Sequence, residues 1–115
     1  MTIKDFVLNY NMHDSLINRI DILENGSLLE FWIDFAFWMQ NGYDDSNDET
    51  GILKVTFSGV KSYIIPDNIC LDEISILEMV MDNDGVKFSL VNDLTDDYLE
   101  IIVYADQVSA EAIKG

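Results

Sequence analysis

The chain has 115 residues, 49% of them hydrophobic, and its 22 Asp and Glu residues oppose six Lys and Arg, giving a formal net charge of −16. That hydrophobic content is too high for a disordered acidic tail, so residues 1–115 are expected to form a single acidic domain. The charge disfavours binding to nucleic acid or to an anionic membrane, because both depend on Lys and Arg.

Alternation of apolar and polar residues predicts strands along most of the chain. Asn25-Gly26 separates two such segments, 16–24 and 27–38, and is a strong hairpin signal. Every odd position from 29 to 37 is apolar, which predicts a long strand with one face in the core. Its even positions hold Glu30, Trp32, Asp34, Ala36 and Trp38.

The same alternation recurs at residues 53–58, 86–90 and 98–104, and Asp82-Asn83-Asp84-Gly85 is a second hairpin signal. Residues 67–72 are expected to form at most a short helical turn before a strand that ends near Met81. The tail from Asp106 is predicted as a frayed strand or one helical turn. The expected fold is all-β: an antiparallel sandwich or strongly bent sheet of about seven or eight strands in meander order.

His13, Asp14 and Ser15 are the residue types of a hydrolytic triad, but adjacent residues do not normally converge in that geometry. The structural interpretation is favoured: Asp14 or Ser15 caps a turn, and His13 bonds to backbone at the start of a strand. An enzyme built around His13 is the least favoured alternative, so no catalytic residue is assigned and the protein is expected not to be an enzyme.

The segment from Met12 to Ile20 resembles the His-Asp-Ser opening of a loose group of small bacterial domains of unassigned activity. In that group the motif precedes a first strand, a hairpin with glycine and an apolar second strand, as His13-Asp14-Ser15, Asn25-Gly26 and residues 28–38 do here. Residues 53–60 and 99–105 are similar to its third and closing strands. Some members look like immunity proteins encoded beside secreted toxins, so the resemblance implies an all-β fold and such a role.

No metal or cofactor site is predicted. The acidic loop contains Asp44, Asp45, Asp48 and Glu49, and its oxygen ligands would suit Ca²⁺, but the spacing of a calcium loop fails after three positions. A solvated loop is favoured, with weak cation binding as the minor alternative. One His and one Cys do not make a zinc site. The single cysteine and the lack of a signal-peptide pattern or long apolar run predict a cytoplasmic protein.

The even face of the strand at 28–38 is the predicted functional surface, because tryptophans interleaved with carboxylates suit an interface with a cationic partner. The alternative left open is that a loop, the tail or a second sheet covers these rings. The predicted partner-binding residues are Glu30, Trp32, Asp34, Trp38, Asp44, Asp45, Asp48 and Glu49.

The sequence therefore predicts a non-enzymatic binding domain whose acidic surface recognises a basic protein, most concretely an immunity-type protein that occludes a basic toxin. The alternative is a homo-oligomeric structural or assembly module that uses the Trp32/Trp38 face to form a dimer.

Overall fold

The computed structural model describes residues 1–36, 50–67 and 74–113. These residues form one α-helix, six β-strands and a 3-10 turn at Glu24–Gly26. In chain order the elements are α1 (Ile3–Asn9), β1 (Leu16–Leu23), β2 (Leu28–Ala36), β3 (Thr50–Ile64), β4 (Ile74–Asp82), β5 (Gly85–Asn92) and β6 (Tyr98–Ile113).

The strands form one antiparallel sheet that closes on itself as a barrel in the order β1-β2-β3-β6-β5-β4. The all-β prediction is confirmed. The sheet consists of two meanders, β1-β2-β3 and β4-β5-β6, and β3 of the first pairs with β6 of the second. The predicted simple meander order was therefore wrong. The barrel closes where β1 pairs with β4 at Leu16 and Ser75.

The strand count of seven or eight was also wrong, because β3 and β6 are continuous over 15 and 16 residues. β3 passes through Gly59, whose positive φ of 61° is next to an irregularity in its register with β6. A Cβ at Gly59 would lie 2.7 Å from an Asp106 carboxylate oxygen, so glycine lets the two strands approach. The tail beyond Asp106 remains in β6 as far as Ile113.

Both predicted hairpins are confirmed. Asn25, in the left-handed region at φ 58°, lies in the turn between β1 and β2. Asn83 adopts φ 53° in the two-residue loop between β4 and β5. The strand predicted before Met81 is β4, whereas the helical turn expected near 67–72 lies, apart from Asp67, outside the described residues.

The core fills the barrel with side chains of the alternating apolar positions, as the period of two predicted. Phe31 packs against Phe57 and Phe88, with ring centroids 5.3 and 5.5 Å apart. All three rings are fully buried. Leu29, Ile33 and Phe35 of β2 are buried beside them, so the odd face of this strand is inside.

A short helix that the sequence analysis did not predict packs against the core. The Thr2 hydroxyl accepts from the Asp5 N–H at 3.1 Å, which caps the N-terminus of α1. Ile3 and Phe6 are buried, and the Phe6 ring lies 6.1 Å from the ring of Phe57. Seven residues with two core positions carry too little periodicity to stand out in a sequence. No helix in the described ranges has the length and apolar character to cross a membrane.

Candidate functional site

The predicted face of β2 points away from the core, but its side chains are partly covered. Glu30, Trp32 and Asp34 are all half-buried, whereas the alternate residues of β2 lie inside the barrel. Trp38 and the loop residues Asp44, Asp45, Asp48 and Glu49 lie outside the described residues. The structure thus places three of the predicted contact residues on one outer face.

Trp32 has cations of its own chain on both neighbouring strands. In the sheet register it lies opposite Arg19 of β1 and Lys54 of β3. The Arg19 Cζ is 5.9 Å from the centroid of the indole and the Lys54 Nζ is 5.2 Å away. The indole Nε1 donates to the Asp21 carboxylate at 3.4 Å. The cation–π contact expected from a partner is therefore already made within the chain.

Two ion pairs complete this arrangement, which we call the Trp32 cluster: Arg19, Asp21, Glu30, Trp32 and Lys54. Arg19 Nε donates to Asp21 Oδ1 at 2.8 Å, and Lys54 Nζ lies 2.9 Å from Glu30 Oε2. The hydrogen bond from Arg19 lowers the pKa of Asp21, and the bond to Glu30 raises the pKa of Lys54. The Arg19–Asp21 pair also raises the pKa of Arg19, so these shifts favour the ionised forms of Arg19, Asp21 and Lys54.

Arg19, Asp21 and Lys54 were not identified from the sequence. Their alternation with core residues places them on an outer face, but only the register of β1 and β3 places them beside Trp32. A register shift in β1 between Ile17 and Arg19 sets that alignment. A partner cation approaching Glu30 would have to compete with Lys54, so Asp34 is the more available carboxylate on this face.

The His-Asp-Ser motif joins three strands at the start of β1. Ser15 is fully buried, and its hydroxyl accepts from the Ala36 N–H at 3.0 Å. Its carbonyl accepts from the Ile76 N–H at 2.8 Å. Asp14 adopts φ 65° and donates its N–H to the Ile76 carbonyl. These contacts join the start of β1 to β2 and β4, and the predicted turn cap by Asp14 or Ser15 is not among them.

The His13 ring also bonds to backbone. Its Nδ1 lies 2.7 Å from the Leu77 carbonyl oxygen, and because a carbonyl only accepts, Nδ1 carries the hydrogen. Its Nε2 is 3.5 Å from Asp14 Oδ1. The motif therefore brings His13 and Asp14 together, while the Ser15 hydroxyl is buried against the N–H of Ala36.

The cations within the described ranges are largely engaged in ion pairs. Besides the two pairs of the Trp32 cluster, Lys61 lies 3.2 Å from Asp106 and Lys87 lies 3.4 Å from Glu100. Four of the six Lys and Arg residues are thus neutralised locally, against 22 acidic residues in the chain. Asp84, Asp93, Asp96 and Asp97 are exposed at the strand connections. The surface therefore carries a large excess of negative charge.

Within the described residues, no three His, Cys, Asp or Glu side chains are grouped closely enough to hold a metal ion. Comparison of the chain with protein-family models, with curated proteins and with solved structures gave no match.

Proposed function

We propose that this domain binds a basic protein through its acidic surface and does so without catalysis. The observation that carries the proposal is the charge imbalance: four cations are already paired, and the remaining carboxylates have few cations of the chain to balance them. A field of this sign attracts cationic proteins and repels nucleic acid and anionic lipid.

Binding would proceed in two physical stages. The negative field would raise the rate of encounter with a cationic partner by about 10- to 1,000-fold at low salt. Partly buried groups would then hold the complex, with Trp32 as an aromatic anchor and Asp34 beside it as an acceptor for partner Arg or Lys. Trp38 and the acids of the 44–49 loop remain predicted contacts of the same kind.

The most concrete form of this function is that of an immunity protein in the cytoplasm, which would occlude the functional surface of a basic toxin. The resemblance to the His-Asp-Ser domains supports this form. Occlusion needs only a tight complex over the toxin's surface, so the domain itself requires no catalytic group or cofactor.

The test has two steps. The tagged domain is incubated with lysate of its native host, washed at low and then at high salt, and the retained proteins are identified by mass spectrometry. The expected result is a basic protein retained at low salt and released at high salt. Its affinity for the purified domain is then measured across salt concentrations, for the wild type and for a variant carrying Asp34→Asn and Asn or Gln at positions 44, 45, 48 and 49.

The variant is expected to bind more weakly and with a shallower salt dependence. Ser109→Ala, an exposed change on β6, serves as the control. Unchanged affinity and salt dependence in the charge variant would contradict the proposed contacts. Failure to retain any protein, together with a concentration-dependent dimer in sedimentation, would instead favour the assembly module.

A further inference from the structure

The closure of the barrel leaves most of one edge of β4 without a strand beside it. β1 pairs with β4 at Leu16 and Ser75, and the backbone bonds of residues 14 and 15 extend this contact to Ile76. Within residues 1–36, 50–67 and 74–113, no strand pairs with residues 77–82 on the side opposite β5, although the Leu77 carbonyl accepts from the His13 ring. An edge of this kind is a template for strand pairing.

The direction of the backbone groups along this edge follows from the register. Asp82 and Gly85 flank a two-residue hairpin loop and pair with each other, so they share the hydrogen bonds that close the hairpin. Pairs alternate in an antiparallel ladder, which turns the N–H and C=O groups of Met81 and Met79 away from β5. Both residues therefore present donors and acceptors to the open edge.

An open groove of about 310 Å³ lies beside this edge, between β4 and the C-terminal half of α1. Its lining includes Leu8, Tyr10, His13, Leu77 and Met79. Leu8 is 72% exposed and Leu77 is 40% exposed, so apolar side chains stand in water next to unpaired backbone groups.

The charge of this region is suited to a basic ligand. Glu78 lines the groove and is exposed, and no Lys or Arg is among the lining residues. Asp14 and Asp84, both exposed, lie in the segments at either end of the open edge. A bound strand would alternate its side chains, with apolar ones over the groove and cationic ones toward Glu78.

We propose that the open edge of β4 (residues 77–82) binds an extended segment of a basic partner as an additional antiparallel strand. The main-chain hydrogen bonds would supply affinity, and the groove and Glu78 would select alternating apolar and cationic residues. This inference rests on the proposed function in one respect, that the partner is basic.

The probe is a fluorescently labelled nine-residue peptide of alternating Lys and Val, titrated against the full chain by fluorescence anisotropy. Three matched probes accompany it: a Glu–Val peptide, and two Lys–Val peptides that carry N-methyl groups on alternate amides, one form for each edge of the strand. N-methylation keeps the charge but removes the hydrogen-bond donors of the methylated edge. We expect the Lys–Val peptide to bind at least about 10-fold more tightly than the Glu–Val peptide and than the N-methylated form whose methylated edge faces β4, and amide exchange at Met79 and Met81 to slow in the complex.

Two pairs of variants test the edge from the protein side. Met81→Pro removes an N–H that points away from β5, so binding should weaken by roughly 3- to 10-fold, while Met81→Ala keeps that donor. Glu78→Gln should weaken Lys–Val binding more than Glu24→Gln, which makes the same charge change in the β1–β2 connection, outside the groove. If Met81→Pro fails to fold, the N-methylated peptides still decide the question.

Equal binding of the Lys–Val peptide and both of its N-methylated forms would overturn strand addition, as would protection confined to amides outside residues 77–82. Equal binding of the Lys–Val and Glu–Val peptides would overturn selection of a basic segment. Absence of peptide binding would overturn the edge site alone, because the proposed function is tested independently with the folded partner retained from lysate.

Discussion

Trp32 and the charged residues around it show how single side chains determine the properties of a surface. Arg19 and Asp21 are two residues apart on β1 and therefore lie on the same face, where they bond to each other. Asp21 also accepts from the Trp32 indole, so one carboxylate fixes both a guanidinium and a ring. The result is a half-buried aromatic whose orientation is set before any partner arrives.

Replacing Arg19 by Gln should raise the pKa of Asp21 toward its ordinary value of about 3.9. In the wild type the hydrogen bond from Arg19 lowers this pKa, so the stabilisation is present above the ordinary value and is lost as the pH falls through the lowered one. The variant should therefore have a lower free energy of unfolding than the wild type at neutral pH. Acidification should reduce that free energy by less in the variant than in the wild type. Carboxyl NMR titration of Asp21 measures the shift.

Lys61→Gln is the matched control for this titration, because Lys61 pairs with the exposed Asp106 and not with the Trp32 cluster. It should leave the titration of Asp21 unchanged. An unaltered Asp21 pKa in the Arg19 variant would mean that the guanidinium does not hold this carboxylate in solution.

At the scale of elements, the contact between β1 and β4 depends on very few residues. The motif at residues 13–15 supplies most of it, through backbone bonds to Ile76 and the His13 contact with Leu77, while the buried Ser15 hydroxyl joins the same segment to Ala36 of β2. Because β1 and β4 pair over so short a length, a few individual hydrogen bonds hold the barrel closed there in place of an extended strand ladder. The same brevity leaves residues 77–82 open on one side.

Ser15→Ala should therefore destabilise the fold by about 1–3 kcal/mol, because it removes a buried acceptor from the Ala36 N–H. Urea denaturation measures the change in the free energy of unfolding. Ser109→Ala, on the exposed side of β6, is the control and should stay within about 0.5 kcal/mol of the wild type. A Ser15 variant as stable as the control would show that the bond between its hydroxyl and Ala36 does not stabilise the fold.

At the scale of the whole molecule, the dominant feature is repulsion among carboxylates. Ion pairs such as Lys54–Glu30 attract, but they involve only a minority of the 22 acids. Net charge far from zero destabilises a compact state through self-repulsion, and salt screens that repulsion. Raising the ionic strength should therefore increase the free energy of unfolding, because it screens this repulsion.

Raising NaCl from about 0.01 M to about 1 M shortens the Debye length from about 30 Å to about 3 Å and should raise the Tm. A gain of about 1 kcal/mol would correspond to roughly 4–8 °C for a small domain. A variant combining Glu24→Gln, Asp84→Asn and Asp96→Asn, all at exposed positions, should show a smaller rise. A Tm that falls with salt would mean that the ion pairs outweigh the repulsion.

The strands themselves were largely predictable because a strand's side-chain period is local. Odd positions of β2 are buried and Glu30, Trp32 and Asp34 face outward, and both hairpins form at the asparagine-containing turns. The continuity of β3 was harder to predict. Gly59 is a residue type that commonly ends a strand, but it lies inside β3 because glycine allows close approach to Asp106. α1 was missed because its two buried residues give no clear period.

By itself, the sequence determined the all-β class, the faces of the strands and the acidic character of the surface, since alternation, turn chemistry and net charge are properties of neighbouring residues or of composition. Only the tertiary structure decided that the sheet closes, that Arg19 and Lys54 lie beside Trp32, and that β4 keeps an open edge. These features depend on register and on pairing between distant strands. A one-residue shift in β1 is enough to change which side chains meet across the sheet.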